Sequence, residues 1–166
     1  MRATATAGSN IALVKYWGVV DKALRLPANG SISLTLDAAT TTTAVHFDPA
    51  LHADAFALDG RETSGEILAR VSAHLDRMRA LAGTDVFANV ESSNTFPTGA
   101  GIASSASGFA ALTAAGAAAL GLNLSPQQLS ALARLGSGSA CRSMIGGWAE
   151  WLPGTRHEDS YAVQIA

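Results

Sequence analysis

The stretch Ser92-Ser93-Asn94-Thr95-Phe96-Pro97-Thr98-Gly99-Ala100-Gly101-Ile102-Ala103-Ser104-Ser105-Ala106 decides how this sequence is read. Ahead of its glycines, residues 85–91 put Val86, Ala88 and Val90 on one face, the period of a strand. Beyond them an Ala-rich run reaches to near Gly121 and predicts a long helix. A Gly-rich turn leading into a helix exposes unpaired backbone N–H groups at its positive end, and Ser104 and Ser105 add hydroxyls in the first turns. That is how a polyphosphate is held without many basic side chains. The run is not a dinucleotide fingerprint, since Ser104 stands where a third glycine would belong, and a Walker-type Gly-Lys-Ser/Thr is absent. The plain alternative is a Gly-rich turn ahead of a packed helix.

Working outward, residues 5–13, 31–36 and 40–47 read as strands, the second alternating polar with apolar. Residues 54–58 form a shorter strand ending at the turn Asp59-Gly60. Thr63-Ser64-Gly65-Glu66 fits a capping box, with Ile67, Leu68, Val71, Leu75 and Met78 on one helical face before Gly83. Ser125-Pro126-Gln127-Gln128 is a second capping box, with Leu129, Leu132 and Leu135 as the apolar edge of a helix that Gly136 ends. A short helix over 137–145, a strand over 147–152 and an apolar alternation over 160–166 complete the pattern. Four or five strands with three or four helices make an α+β domain spanning 1–166.

Composition narrows the function. The 166 residues are 48% hydrophobic and 14% charged, enough for one domain with a sizeable core and incompatible with disorder. A net charge of -2 leaves no reserve of positive charge for nucleic acid. No Asp, Glu, Lys, Arg or His occurs between Glu91 and Arg134, yet that run is too rich in Ala, Gly, Ser and Thr for a membrane span. The single Cys141 excludes an intrachain disulfide and a Cys-based zinc site, and the N-terminus lacks the apolar core of a signal peptide. The expectation is cytoplasmic.

Two further clusters carry chemistry. Gly136-Ser137-Gly138-Ser139-Ala140-Cys141-Arg142-Ser143 offers hydroxyls and a guanidinium fork suited to a carboxylate or phosphate. Its plain reading is a helix cap with Arg142 as a solvated charge and Cys141 as buried filler. Asn10-Ile11-Ala12-Leu13-Val14-Lys15-Tyr16-Trp17-Gly18 ends a strand in a Lys and two aromatics. Lys15 and Tyr16 suit an anionic ligand, while Trp17 is equally at home in a core. His46, His52, His74 and His157 lack metal-ligand spacing and are read as non-catalytic.

Together these segments, with Leu26-Pro27-Ala28-Asn29-Gly30-Ser31-Ile32-Ser33-Leu34-Thr35-Leu36, resemble the diphosphomevalonate decarboxylase family of the GHMP kinase superfamily, in order and spacing over nearly the whole chain. The resemblance implies a ribosomal protein S5 domain 2-like fold, the N-terminal nucleotide-binding domain of that superfamily. It also implies an enzyme of isoprenoid biosynthesis, in the mevalonate pathway and lipid metabolism, that uses ATP and Mg²⁺. Such an enzyme phosphorylates the 3-hydroxyl of a mevalonate phosphate and then releases phosphate and CO₂, leaving an isopentenyl ester. Asn94, Pro97, Thr98, Gly99, Ala100, Gly101, Ala103, Ser104 and Ser105 would then bind ATP, with Mg²⁺ near Ser104 and Ser105. Arg142 would hold the substrate carboxylate, Ser137 and Ser139 would offer hydroxyls, Tyr16 would meet the 5-phosphate end, and Lys15 would sit near the reacting hydroxyl. Positioning and electrostatics dominate such phosphoryl transfers. The resembled family commonly forms homodimers, and neither nucleic acid nor a membrane is an expected partner.

Two departures matter. Where the family has a Lys after Lys-Tyr-Trp-Gly, this chain has Val19, which points toward the monophosphate substrate and a phosphomevalonate decarboxylase. The family's catalytic aspartate lies in a second half of the chain, and Asp21, Asp37 and Asp159 stand outside any such motif. The 166 residues are therefore expected to be the first half of a longer enzyme and to lack decarboxylase activity alone. A 3-kinase that stops before decarboxylation and a non-catalytic binding module are the alternatives.

Overall fold

The computed structural model describes residues 1–97 and 104–166. Its organising element is a single long strand, β4 (Ser31–Phe47), where the sequence pattern indicates two. Along one edge β4 pairs antiparallel with β1 (Arg2–Val14). The register jumps from Gly8↔Thr40 to Ser9↔Leu36, so Asp37, Ala38 and Ala39 form a bulge that keeps the strand continuous. Gly8 is required there, because a Cβ would lie 2.6 Å from Thr35 Cγ2 and 2.8 Å from Leu36 O.

The other edge of β4 is shared. Its first residues pair with β8 (Trp148–Trp151), which pairs with β9 (Ala162–Gln164). Its last residues pair with β7 (Ala88–Asn94). Beyond β7 lie β5 (Ala55–Leu58), parallel to it, and β6 (Arg61–Glu62), with Asp59 and Gly60 at φ 50° and 74° in the intervening turn. Between β1 and β4, β2 (Val19–Asp21) and β3 (Leu26–Pro27) form a separate hairpin. Among the described residues there are thus nine strands, several too short for periodicity to register.

Four helices complete the chain: α1 (Gly65–Ala82), α2 (Ser104–Ala119), α3 (Pro126–Gly136) and α4 (Ala140–Ser143). The core between helices and sheet is built from Val45, Phe47, Val71, Leu75, Met78, Val90, Leu112 and Leu132. The Ser125 capping box is complete, with Gln128 N–H donating to the Ser125 hydroxyl at 3.2 Å and Ser125 N–H to Gln128 Oε1 at 2.8 Å. The Thr63 box is not formed: α1 begins after Ser64, which makes no side-chain cap, and the Thr63 hydroxyl donates instead to Phe56 O. Ile67, expected on the buried face, is 53% exposed, whereas His74 and Arg79 are buried. Arg79 is accommodated by Asp54, which takes both of its terminal nitrogens at 2.9 Å.

Two shifts bear on the site. The strand expected over 85–91 runs over Ala88–Asn94 and carries Asn94 to the start of the Gly-rich turn. The helix expected over 137–145 shrinks to the single turn of α4, which leaves Ser137 to Ser139 as a loop. No helix among the described residues is long and apolar enough to cross a membrane.

Candidate active site

The site begins with an inversion in β4. In Ser31-Ile32-Ser33-Leu34 the alternation is that of a half-buried strand, but here the serines are buried and Ile32 and Leu34 are half-buried. Their hydroxyls point at Arg142 on α4. Arg142, with solvation its plain expectation, is 2% exposed. Its Nε donates to Ser33 Oγ at 3.0 Å, Nη1 to Ser31 Oγ, and Nη2 to Asn10 Oδ1 at 3.1 Å. Asn10 is fixed in turn, its amide donating to Ser139 O at 3.1 Å and Ser143 Oγ at 2.7 Å. Every one of these partners is neutral, and among the described residues the ion pairs belong to Arg79 and Arg156. Burial lowers the Arg142 pKa from its ordinary value. A buried guanidinium with only neutral acceptors is an anion receptor in waiting.

Cys141, next to Arg142, is inert filler as expected: burial pushes its thiol up to about 12, and it donates to Gly138 O. Tyr16 lies just past the end of β1, its ring edge-on to Trp151 at 4.8 Å and 70°. Lys15 is exposed, on a loop held by Asn29, which accepts from Trp17 N–H at 2.8 Å and donates to Lys15 O at 3.3 Å. Trp17 itself is 75% exposed and belongs to no core. Ser137 is buried at the end of α3, and its hydroxyl meets that of Ser105 at 3.3 Å. Ser139 is half-buried beside α4.

That serine pair joins the Ser137 to Ser139 loop to the start of α2. Thr98, Gly99, Ala100, Gly101 and Ala103 lie outside the described residues. Pro97 is exposed. Asn94 accepts from Thr41 Oγ1 at 2.6 Å, and Thr41 shares a 2.7 Å hydrogen bond with Ser107 of α2, so the strand before the turn and the helix after it are clamped together. Ser104 and Ser105 open onto a cavity of about 200 Å³, walled by Phe56, Leu58, Val71, Val90, Phe109 and Leu112. Apolar walls beside two hydroxyls at the positive end of a long helix suit a nucleoside polyphosphate. Among the described residues no group of three or more His, Cys, Asp or Glu is arranged to hold a metal.

Sequence reasoning missed Arg70, which lines this cavity, donates to Gly136 O at 3.5 Å and stands 5.2 Å over the Phe109 ring. On α1 it looks like any solvated helix charge. It missed the roles of Asn10, Ser31 and Ser33 as well, whose signal was polar side chains on an inward period. His74 is core: burial, aided by Arg77 and Arg25, drives its pKa to about 3. Thr113 gives its proton to Phe109 O at 2.6 Å, so His74 Nε2–H donates to Thr113 and the ring edges against Phe109 at 5.4 Å.

Comparison with known proteins is consistent over the whole chain. A sequence model described as diphosphomevalonate decarboxylase-like N-terminal domain matches residues 7–162. A diphosphomevalonate decarboxylase of Ganoderma lucidum is 42% identical over 181 residues, covering 99% of this chain and 45% of the relative. A phosphomevalonate decarboxylase of Haloferax volcanii is 39% identical over 165 residues, covering 99% and 51%. A solved structure of the mevalonate diphosphate decarboxylase of Enterococcus faecalis, concerned with mevalonate diphosphate mediated ATP binding, superposes with a TM-score of 0.96 at 49% identity. It covers 100% of this chain and 52% of that one. The chain thus spans about half the length of the relatives it matches.

Proposed function

The chain belongs to the diphosphomevalonate decarboxylase-like N-terminal domain family, and on that premise we propose that it is the ATP- and substrate-binding half of an ATP-dependent decarboxylase. Its substrate is a mevalonate 5-phosphate or diphosphate and its product an isopentenyl phosphate for isoprenoid biosynthesis, made in the cytoplasm. The observation that carries this reading is Arg142, a buried cation whose hydrogen-bond partners among the described residues are the neutral Ser31, Ser33 and Asn10.

In the reaction, the γ-phosphoryl of ATP passes to the substrate 3-hydroxyl. The C3–O bond then breaks with phosphate leaving, as the C1–C2 electron pair becomes the C2=C3 double bond and CO₂ departs. Mg²⁺ accompanying ATP neutralises charge between its phosphates. Arg142 holds the carboxylate, fixing C1 and C2 while charge develops at C3. Tyr16 orients the 5-phosphate end, Lys15 brings positive charge near the 3-hydroxyl, whose proton passes to the aspartate that the resembled family carries in its second half, and Ser137 and Ser139 hold the substrate's oxygens. Ser104 and Ser105 take the β,γ-phosphates. The 3.3 Å contact of Ser105 with Ser137 supports this reading, since the two hydroxyls assigned to ATP and to the substrate are neighbours.

The monophosphate is the favoured substrate, because exposed Val19, at the start of β2, stands where the resembled family carries a lysine, and exposed Val20 follows it. The test incubates Mg·ATP with each substrate and follows CO₂ release and product mass, for the 166-residue chain and for a polypeptide that adds the second half found in relatives. The longer protein is expected to release CO₂ faster from the monophosphate, and the short chain to bind without turnover. Accumulation of a 3-phosphate without CO₂ would make it a kinase, and CO₂ release by the short chain would contradict its dependence on a second half.

A further inference from the structure

We propose that Trp151 is a positioning residue whose indole sets the separation between the Arg142 guanidinium and the Tyr16 hydroxyl, and so selects ligands whose carboxylate and phosphate are that far apart. This rests on the reading of the site given above.

Trp151 ends β8 and is 1% exposed. Its ring cannot turn freely: the indole N–H donates to Ser160 Oγ at 2.8 Å, and that hydroxyl donates to Leu152 O at 3.0 Å. The Ser160 carbonyl in turn accepts from the buried Arg134, so the anchor is itself anchored. Three parts of the site rest on this one ring. Tyr16 meets it edge-on at 4.8 Å, Arg142 Cζ stands 5.8 Å from its centroid, and Gly138 lies against its far edge.

Gly138 makes the arrangement tight. A Cβ there would lie 3.3 Å from Trp151 Cη2 and 3.3 Å from Tyr16 Oη, so backbone, phenol and indole meet at one point. Tyr16 lies beyond the last β1 residue and has left the sheet register, so its contact with the indole takes over the task of placing it. Arg142 reaches the same indole from α4, on the other arm of the site. Arg142 stays held by Ser31, Ser33 and Asn10, so a smaller side chain at 151 would let the Tyr16 end move relative to it.

The experiment titrates mevalonate 5-phosphate, unphosphorylated mevalonate and a non-hydrolysable ATP analogue with Mg²⁺ into the wild-type chain and into Trp151→Leu, Trp151→Phe and Ser160→Ala. A bulk structural role would weaken all three ligands together. The proposal expects Trp151→Leu to lower the preference for the phosphorylated over the unphosphorylated ligand on the order of tenfold, the size expected for a small misplacement of oriented groups. The ATP analogue should keep its affinity, and Trp151→Phe and Ser160→Ala should fall between. If Trp151→Leu does not fold, the other two variants carry the comparison, because each keeps a buried hydrophobic side chain at 151. An unchanged preference in the folded variants would overturn the proposal alone. Failure of the wild-type chain to bind mevalonate 5-phosphate would overturn the reading of the site and the proposal with it.

Discussion

Replacing Arg142 with Met separates what this residue does for the fold from what it does for a ligand. Burying its charge costs several kcal/mol. Its three hydrogen bonds to neutral acceptors return roughly 1.5–3 kcal/mol each. The two nearly cancel, but in the variant the buried Ser31 Oγ, Ser33 Oγ and Asn10 Oδ1 lose this donor, while Asn10 keeps its bonds to Ser139 and Ser143. Urea unfolding of Arg142→Met should therefore show a loss of about 1–3 kcal/mol, the cost of leaving a buried polar group unsatisfied. A bound carboxylate changes the balance: at about 4 Å and an effective dielectric near 20 it gains about 4 kcal/mol from the guanidinium. Calorimetric titration should then show mevalonate 5-phosphate binding weakened at least about a hundredfold, discounting that upper figure for ligand desolvation. A loss of more than about 4 kcal/mol in stability with ligand affinity retained would refute the reasoning and make Arg142 a structural strut.

Other consequences follow from the same geometry. A Cβ on Gly136 would lie 2.2 Å from Phe109 Cδ1, so Gly136→Ala should cost about 1–3 kcal/mol in urea and, by displacing a wall of the cavity beside Ser105, weaken ATP-analogue binding. For Asp54, burial raises the carboxyl pKa, but Arg79 and the Ala88 N–H outweigh it and hold the group below its ordinary 3.8. The stabilisation by Asp54 is complete above that range and is lost as pH falls through the lowered folded value. The stability gap between wild type and Asp54→Asn should accordingly be constant at neutral pH and close in acid. Cys141, with its thiol pushed up to about 12, should resist iodoacetamide at pH 8 in the folded chain and react in urea, as read by mass.

How much of this was legible depends on which residues report local physics. The Ser125 capping box and the Asp59-Gly60 turn are short-range, and both form where the sequence indicates. Thr63 fails because Phe56 O, a partner from β5, outcompetes the helix end for its hydroxyl. The continuity of β4 was hidden because Asp37 to Ala39 break the alternation, and only the register against β1 shows that they are a bulge. At the site, the residue types in the Gly136 to Ser143 run indicated anion chemistry, yet burial of Arg142 depends on Ser31 and Ser33, over a hundred positions away. Inward-facing serines are what distinguish this buried arginine from a solvated one. Arg70 carried no local signal, and its place in the cavity is a product of how α1 packs on α2 and β5.

In the proposed site, Arg142 takes the ligand carboxylate and Tyr16 the phosphate end of the same molecule. A crystal structure of the chain with mevalonate 5-phosphate tests it most directly. The account predicts the carboxylate within hydrogen-bond distance of the Arg142 guanidinium and the phosphate beside Tyr16. A ligand bound with its carboxylate elsewhere, and Arg142 still bonded only to Ser31, Ser33 and Asn10, would contradict it.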